Sequence, residues 1–369
     1  VSPIHSLSLV ARLGEEFGAE VTYDSPLAAH TTLRLGGPVS AIVSCPTTQA
    51  LAGVVRRLDS EQIPILIVGG GSNLVVADDG VDAVAVRVAT TDLKFDGSVM
   101  HAEAGVNWDA AVTASVAQGL GGIECLSGIP GSTGATPVQN VGAYGVEIAS
   151  VLRRVELLDR ASGTVHWAGP EELHLSYRHS ILKNSDTAVV LSVELDLLPD
   201  GLSAPVRYGE LARTLGASEG DRLPVADVRE AVLALRAGKG MVLDSDDHDT
   251  WSAGSFFTNP IIPTEELPEV LRKAQDLLGA DVTMPQFPAG PGRTKLSAGW
   301  LIERAGFSRG FPGEDAPVRL STKHTLALTN RGSATTADLV ELARRVQRGV
   351  EDAFGVRLHP EPVCVGVHI

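Results

Sequence analysis

Cysteine is scarce in this chain: Cys45, Cys125 and Cys364 are the three among 369 residues, far apart and without a Cys-x-x-Cys pair. That excludes a disulfide framework and fits a reducing compartment. No run of about 18 apolar residues occurs, so no transmembrane helix is expected. No basic stretch followed by an apolar block opens the sequence, so no signal peptide is expected and a cytoplasmic location is. Basic residues are in deficit, 30 Lys and Arg against 45 Asp and Glu, for a formal charge of −15. Phosphate backbones are bound by clustered cations, so nucleic acid is excluded as the main partner. One anionic metabolite could still meet a local basic site. Low-complexity tracts and fixed-period repeats are also missing, and with 44% hydrophobic residues the length suits two or three domains, each with its own core.

Several catalytic signatures fail on inspection. Gly69-Gly-Gly-Ser-Asn-Leu74 follows the apolar run 63–68, but the dinucleotide fingerprint G-x-G-x-x-G requires glycine where Leu74 stands. No Gly-Lys-Ser/Thr occurs, which removes the P-loop. Ser255 lies in Gly254-Ser-Phe-Phe257, where a nucleophile elbow needs glycine at the position of Phe257. His101-Ala-Glu103 lacks the second half of a zinc deaminase signature. The acidic stretch 244–249 lacks the loop glycine and terminal Glu of an EF-hand. No catalytic metal is expected.

What the chain does have is glycine, concentrated in two places. Gly128-Ile-Pro-Gly-Ser-Thr-Gly-Ala-Thr-Pro-Val-Gln-Asn-Val-Gly-Ala-Tyr-Gly145 carries five glycines in eighteen residues, a composition that cannot hold a long helix or central strand. It can bring bare backbone close to a ligand and converge N–H groups into an anion-binding nest. Gly69–Leu74 is a shorter copy of the same chemistry. Alone it would read equally well as a tight turn. Together the two loops point to a large phosphate-bearing cofactor held mainly by main chain.

Periodicity predicts helices over 7–17, 47–61, 107–118, 224–237, 265–278, 297–305 and 334–354. Strands are expected near 63–68, 83–88, 99–103, 151–158, 188–197, 255–259 and 363–367. The alternation lacks a regular βαβ rhythm, so an α+β fold with mixed sheets is favoured over a doubly wound one. The polar break 244–249 is the best domain boundary. Three charged residues stand out. Arg178 follows Tyr177, a setting usual for a structural ion pair. Lys239 sits between Gly238 and Gly240, suited to a diphosphate or to the solvated end of the preceding helix. Glu361 stands between Pro360 and Pro362, on a stiff segment that could equally be a surface turn. Ser255 taken alone reads as a backbone-bonded serine, yet its hydroxyl is acidic enough to protonate a carbanion or enolate.

In order and spacing, a set of segments resembles the UDP-N-acetylenolpyruvoylglucosamine reductase family, flavin enzymes of bacterial peptidoglycan synthesis. They are Thr31–Gly37, Gly69–Asn73, Ala104-Gly105, Gly128–Gly145, Ser176-Tyr-Arg178, Ala253–Pro260, Lys295–Glu303 and Pro360-Glu361. The likeness covers nearly the whole chain. It implies the two-part FAD-binding fold of the vanillyl-alcohol oxidase type, over 1–85 and 86–245, and a C-terminal substrate-binding domain over 246–369 that carries Glu361. It further implies FAD held by Gly69, Gly70, Gly71, Ser72, Asn73 and Leu74 and by Gly128, Ile129, Pro130, Gly131, Gly134, Ala135, Asn140, Gly142, Ala143 and Tyr144. Ser72 and Asn73 occupy the stretch where related oxidases often carry a flavin-linking histidine, so non-covalent FAD is expected. Thr133 departs from the Val or Ala usual in the family.

By the same resemblance NADPH reduces the flavin, and hydride passes from flavin N5 to C3 of the enolpyruvyl substrate. Ser255 protonates C2, while Arg178 and a protonated Glu361 meet the enolate charge. Tyr208, Lys239, Asn259 and Lys295 would hold the diphosphate and sugar. The partners are then small molecules, with neither nucleic acid nor membrane, and a monomer is expected. The rival readings are an oxidase of the same fold using O2 and a non-catalytic flavin- or nucleotide-sugar-binding protein.

Overall fold

The computed structural model describes residues 3–369. The chain packs as two compact units. Of the described residues, the first comprises 3–30, Pro38–Gly71 and Val81–Val242; the second comprises Thr31–Gly37, Ser72–Gly80 and Leu243–Ile369.

The first unit holds two sheets. In the mixed four-stranded one, Val39–Cys45 pairs antiparallel with Glu20–Tyr23 and parallel with Val81–Val88, which also takes Ile65–Val68 in parallel. The helix Thr48–Ser60 covers it, opened by Thr47, whose hydroxyl accepts from Ala50 N–H at 3.1 Å. Its Leu51, Val54, Val55 and Leu58 are buried with Val43, Val84 and Val86 of the sheet, the i, i+3, i+4, i+7 stripe that the sequence predicts. The second sheet is antiparallel, with Val165–Ala168, Leu152–Asp159, Ala188–Asp196, Val99–Glu103 and Leu93–Asp96 in that order. Ala188–Asp196 is its central strand and is buried on both faces. The helices Trp108–Ala117 and Val225–Gly238 pack together beside it.

The second unit is built on the 19-residue helix Thr336–Phe354. Thr335 and Asp338 form a capping box, and the Asp78 carboxylate accepts from the N–H groups of Thr336 and Ala337 at 2.7 and 2.8 Å. The helices Leu267–Leu278 and Ala298–Arg304 pack on it. A three-stranded antiparallel sheet has Arg293–Leu296 between Ile261–Pro263 and Gln286–Pro288, and a hairpin joins Val318–Leu320 to Leu328–Asn330. Thr31–Gly37 is fastened here by Asn330 Nδ2 donating to Leu33 O at 3.0 Å and by Thr32 Oγ1 donating to Ser252 O at 2.7 Å.

Two expectations need correction. Residues 255–259 form no strand: Gly254 is left-handed at φ 72°, Pro260 removes a donor, and Phe257 alone bridges to Pro360. Leu74 is not a loop residue. It opens the strand Leu74–Val76, paired in parallel with Val363–Val365, a partner too remote in sequence for any local pattern to reveal. Among the described residues no helix is long and apolar enough to cross a membrane, and no group of three His, Cys, Asp or Glu could hold a metal.

Candidate active site

In the first unit, strand Ile65–Val68 runs directly into Gly69–Gly71. A methyl group on Gly69 would lie 2.5 Å from Ser132 Oγ, and one on Gly70 would lie 2.6 Å from Gly131 Cα. The two glycine-rich stretches thus touch main chain to main chain, an approach that requires glycine. Gly71 is buried at φ 61°, and neither Gly70 nor Gly71 donates a backbone hydrogen bond among the described residues. Gly70 is exposed, but a buried N–H group such as that of Gly71 is rarely left without an acceptor. Donors presented this way suit phosphate oxygens, so these residues fit FAD.

The longer loop is anchored at its start. Gly128 N–H donates to Asp109 Oδ1 at 2.6 Å, and Arg229 grips the same carboxylate with both terminal nitrogens at 2.7 and 2.8 Å. Those bonds hold the Asp109 carboxyl below its ordinary range, Arg229 contributing most. Ile129, Pro130 and Gly131 follow, half-buried. Thr133 is fully buried and its hydroxyl donates to Val106 O at 3.0 Å, so the extra oxygen is satisfied. Gly134 packs on Ala104, while Ala135 is exposed. Asn140 is buried at φ 46°, and its amide is committed to Glu147 Oε2, Ser176 O and Ala149 N–H. It ties the loop together, whatever else it touches. Ala143 pairs with Val146 across Tyr144 (φ 51°) and Gly145 (φ 84°), both left-handed as a tight hairpin turn demands.

Tyr144 brings the expected substrate groups of this unit together. Its ring meets Tyr208 edge-on at 5.4 Å, and the Lys239 ammonium lies 5.9 Å from its centroid. Burial pushes the Tyr144 hydroxyl up to about 12. Lys239 caps the end of Val225–Gly238, as its plainer reading has it, but it also pairs with Glu210 at 2.5 Å. Arg236, in the last turn of that helix, is half-buried with its Nε enclosed; it donates to Met241 O at 2.7 Å, its Nε bonds none of the described residues, and desolvation draws it down to about 10. Arg178 sits at φ 54° in the turn closed by reciprocal Ser176–His179 backbone bonds. Its guanidinium donates to Gly142 O at 2.5 Å, so the glycine loop aims it. A non-glycine residue so held is a strained conformation of the kind that clusters at functional sites.

In the second unit, the segment carrying Ser255 is stitched to the one carrying Glu361. Glu361 N–H donates to Phe256 O at 2.8 Å and Thr258 N–H to His359 O at 3.1 Å. Asn73 joins them: its carbonyl accepts from Val363 N–H at 2.9 Å and its amide reaches Glu361 O at 3.4 Å. Ser255, Glu361 and Asn73, far apart in sequence, are therefore neighbours, with Ser72 adjoining. Asn259 uses Oδ1 to accept from Ala298 N–H at 2.9 Å, the first residue of helix Ala298–Arg304. Lys295 is half-buried in the middle strand of the three-stranded sheet. Sequence reasoning missed Glu210, Arg236, Asp109 and His324, whose Nε2 lies 3.4 Å from Ser255 Oγ. None stands in a motif; only pairing across the fold distinguishes them.

Comparison with known proteins decides the family. Residues 246–365 match the C-terminal domain of UDP-N-acetylenolpyruvoylglucosamine reductase, and residues 39–169 match an FAD binding domain. The reductase of Nocardia farcinica is 61% identical over 352 residues, covering 95% of this chain and 91% of that protein. The chain belongs to the UDP-N-acetylenolpyruvoylglucosamine reductase family. The Mycolicibacterium smegmatis member is 54% identical over 95% of this chain and 96% of its own length. The reductase from Thermus caldophilus superposes with a TM-score of 0.62 at 25% identity, over 94% of this chain and 98% of that one. A 4-ethylphenol oxidase from Gulosibacter chungangensis, 14% identical, shares the fold at a TM-score of 0.52 over 97% and 90% of the two chains. The expected α+β fold of the vanillyl-alcohol oxidase type is thus borne out, and this family member is an FAD-binding oxidoreductase.

Proposed function

We propose that the protein reduces UDP-N-acetylenolpyruvoylglucosamine to UDP-N-acetylmuramate with NADPH as reductant and non-covalent FAD, as a monomeric cytoplasmic step of peptidoglycan precursor synthesis. The observation that carries this reading is the backbone stitching of the Ser255 segment to Glu361 and Asn73. That stitching brings the backbone segments carrying Ser255, Glu361 and Asn73 together within the second unit, which supports assigning the proton donor and the carboxyl to one site. On this reading 1–85 and 86–245 are the two FAD-binding subdomains and 246–369 the substrate-binding domain.

FAD, when bound, supplies the two-electron chemistry between NADPH and the enolpyruvyl double bond. The chain's own residues handle the charge and the proton. As C3 gains hydride, negative charge grows at C2 and spreads into the adjoining carboxylate. Arg178, aimed by Gly142, and Glu361 in its protonated form donate to that carboxylate, preorganised so that little rearrangement opposes the step. Ser255 passes its hydroxyl proton to C2, a weak acid meeting a far stronger base. Lys239 exchanges Glu210 for the substrate diphosphate, with Tyr208, Lys295 and the free end of the Asn259 amide on the nucleotide sugar.

The test separates the two half-reactions. Ser255→Ala is expected to leave flavin reduction by NADPH unchanged and to slow reoxidation by the enolpyruvyl substrate by about 10²–10⁴-fold. A near-normal second half-reaction in stopped-flow absorbance would remove Ser255 as the acid.

A further inference from the structure

We propose that His324 is a positioning residue that resupplies the proton Ser255 gives up, so that the known reaction draws its proton through an imidazole rather than from an isolated hydroxyl. The inference rests on Ser255 as the acid and extends it. Ser255 Oγ and His324 Nε2 are 3.4 Å apart, at the long end for such a pair, as is common before substrate tightens the site.

The approach is built, not incidental. Phe256 N–H donates to Leu326 O at 2.7 Å, which pins the residue after Ser255 to the residue two beyond His324. The turn carrying His324 is itself closed. Ser321 Oγ accepts from Lys323 and His324 N–H at 3.0 and 3.2 Å, and Ala327 N–H donates to His324 O at 3.0 Å. Thr322 is clamped on either side of that turn by the buried Asp249, through N–H at 2.9 Å and Oγ1 at 2.5 Å. Both partners of the Ser255–His324 contact are therefore fixed by backbone bonds independent of the contact itself.

The chemistry needs such a group. When the Ser255 O–H bond breaks and the C2–H bond forms, the O–H electron pair stays on Oγ. Left alone, Oγ becomes an alkoxide, an anion beside an anionic substrate. If the Nε2–H bond of an imidazolium breaks as Oγ–H re-forms, that electron pair stays on Nε2. Serine is restored, and the neutral imidazole regains its proton from water. No oxidant or reductant enters beyond NADPH. Histidine is the side chain whose ordinary pKa, about 6.5, keeps a useful charged fraction near neutrality.

The ionisable groups on the elements packed around this turn are Asp247, His248 and Asp249, Glu303, Arg319, Lys323, Arg331 and Glu361. Asp247 pairs with Lys323 at 2.5 Å and Asp249 with Arg331 at 3.0 Å. Glu303 binds the Thr325 hydroxyl and lies 3.8 Å from Arg309. Three of these four carboxylates, Asp247, Asp249 and Glu303, thus have a cation partner of their own.

The experiment is single-turnover reoxidation of NADPH-reduced holoenzyme by UDP-N-acetylenolpyruvoylglucosamine across pH 5.5–8.5. Wild type is expected to slow about tenfold per pH unit above one ionisation. His324→Gln, which keeps a hydrogen-bond donor but cannot titrate there, is expected to be about 10²-fold slower at pH 6 with a flat profile. His324→Ala should regain part of the lost rate in added imidazole, with flavin reduction by NADPH unchanged throughout. A wild-type pH dependence in His324→Gln overturns the proposal. So does a flat wild-type profile, a result that needs no variant to fold. Ser255→Ala run alongside keeps the readings apart: normal reoxidation in that variant sinks the serine itself, whereas slow Ser255→Ala with unaffected His324→Gln sinks only the relay.

Discussion

Lys239 illustrates how one residue can satisfy a bland reading and a functional one together. It ends a helix, where a cation offsets the carbonyl dipole, and its ammonium is held at 2.5 Å by Glu210 and faces the Tyr144 ring. A ligand diphosphate must displace Glu210 to use that ammonium. Removing the competitor should therefore help binding, and removing the cation should harm it. Glu210→Gln is expected to lower KM for the enolpyruvyl substrate by a fewfold with kcat unchanged. Lys239→Ala is expected to raise KM by about tenfold or more, the worth of one charge-assisted hydrogen bond. Steady-state kinetics of both variants decide the matter, and an unchanged KM in Lys239→Ala returns the residue to a helix-end role. Glu210 could not be found from sequence, because Arg207-Tyr-Gly-Glu210 gives no sign that its last residue turns toward a helix end 29 residues on.

At the scale of elements, what was legible had a local cause. The helix over 47–61 was marked by its apolar stripe and by Thr47, and the long C-terminal helix by its stripe; the structure gives Thr48–Ser60 and Thr336–Phe354. What was illegible depended on remote pairing. Leu74–Val76 is a strand only because Val363–Val365 lies beside it, and 255–259 resembles a strand only until Gly254 and Pro260 are given their backbone conformations. The catalytic candidates behaved likewise: Ser255 was readable through family resemblance, whereas its approach to His324 required the fold. The glycine loop is intermediate, since composition revealed its flexibility but not its anchor. Asp109 is that anchor, bonded to Gly128 N–H and gripped by Arg229. Asp109→Ala is expected to cost about 2–3 kcal/mol, as for a partly buried charged hydrogen-bonding group, seen as a lower melting temperature and looser flavin retention. The sign of its pH dependence follows from the lowered pKa. The folded carboxyl stays ionised below the ordinary value of about 3.9, so its contribution is full above that value and is lost as pH falls through the folded one. Wild type should therefore lose more stability than Asp109→Ala on acidification below about pH 4. Parallel acid-denaturation curves that keep a constant gap would remove Asp109 from this role.

The whole molecule carries a formal charge of −15, yet every ligand assigned to it is an anion. On the proposed reading recognition is local, with Gly70 and Gly71 as main-chain donors beside a few cations, since exposed charges more than about 8 Å away are screened at physiological salt. A cofactor held this way stabilises the folded chain by mass action rather than by a covalent tether. FAD stripped from the protein and restored at a hundredfold excess over Kd should add about 2.7 kcal/mol. The expected signature is a melting temperature that climbs with FAD concentration, together with a yellow cofactor that leaves on denaturation. Gly70→Ala is the control, because its methyl group would be driven to 2.6 Å from Gly131 Cα. That variant should fold with the two glycine loops forced apart, bind FAD weakly, and show little rise in melting temperature. A wild-type protein whose melting temperature ignores FAD, or a Gly70→Ala variant that binds it normally, would show that the contact between the two loops is not what holds the flavin.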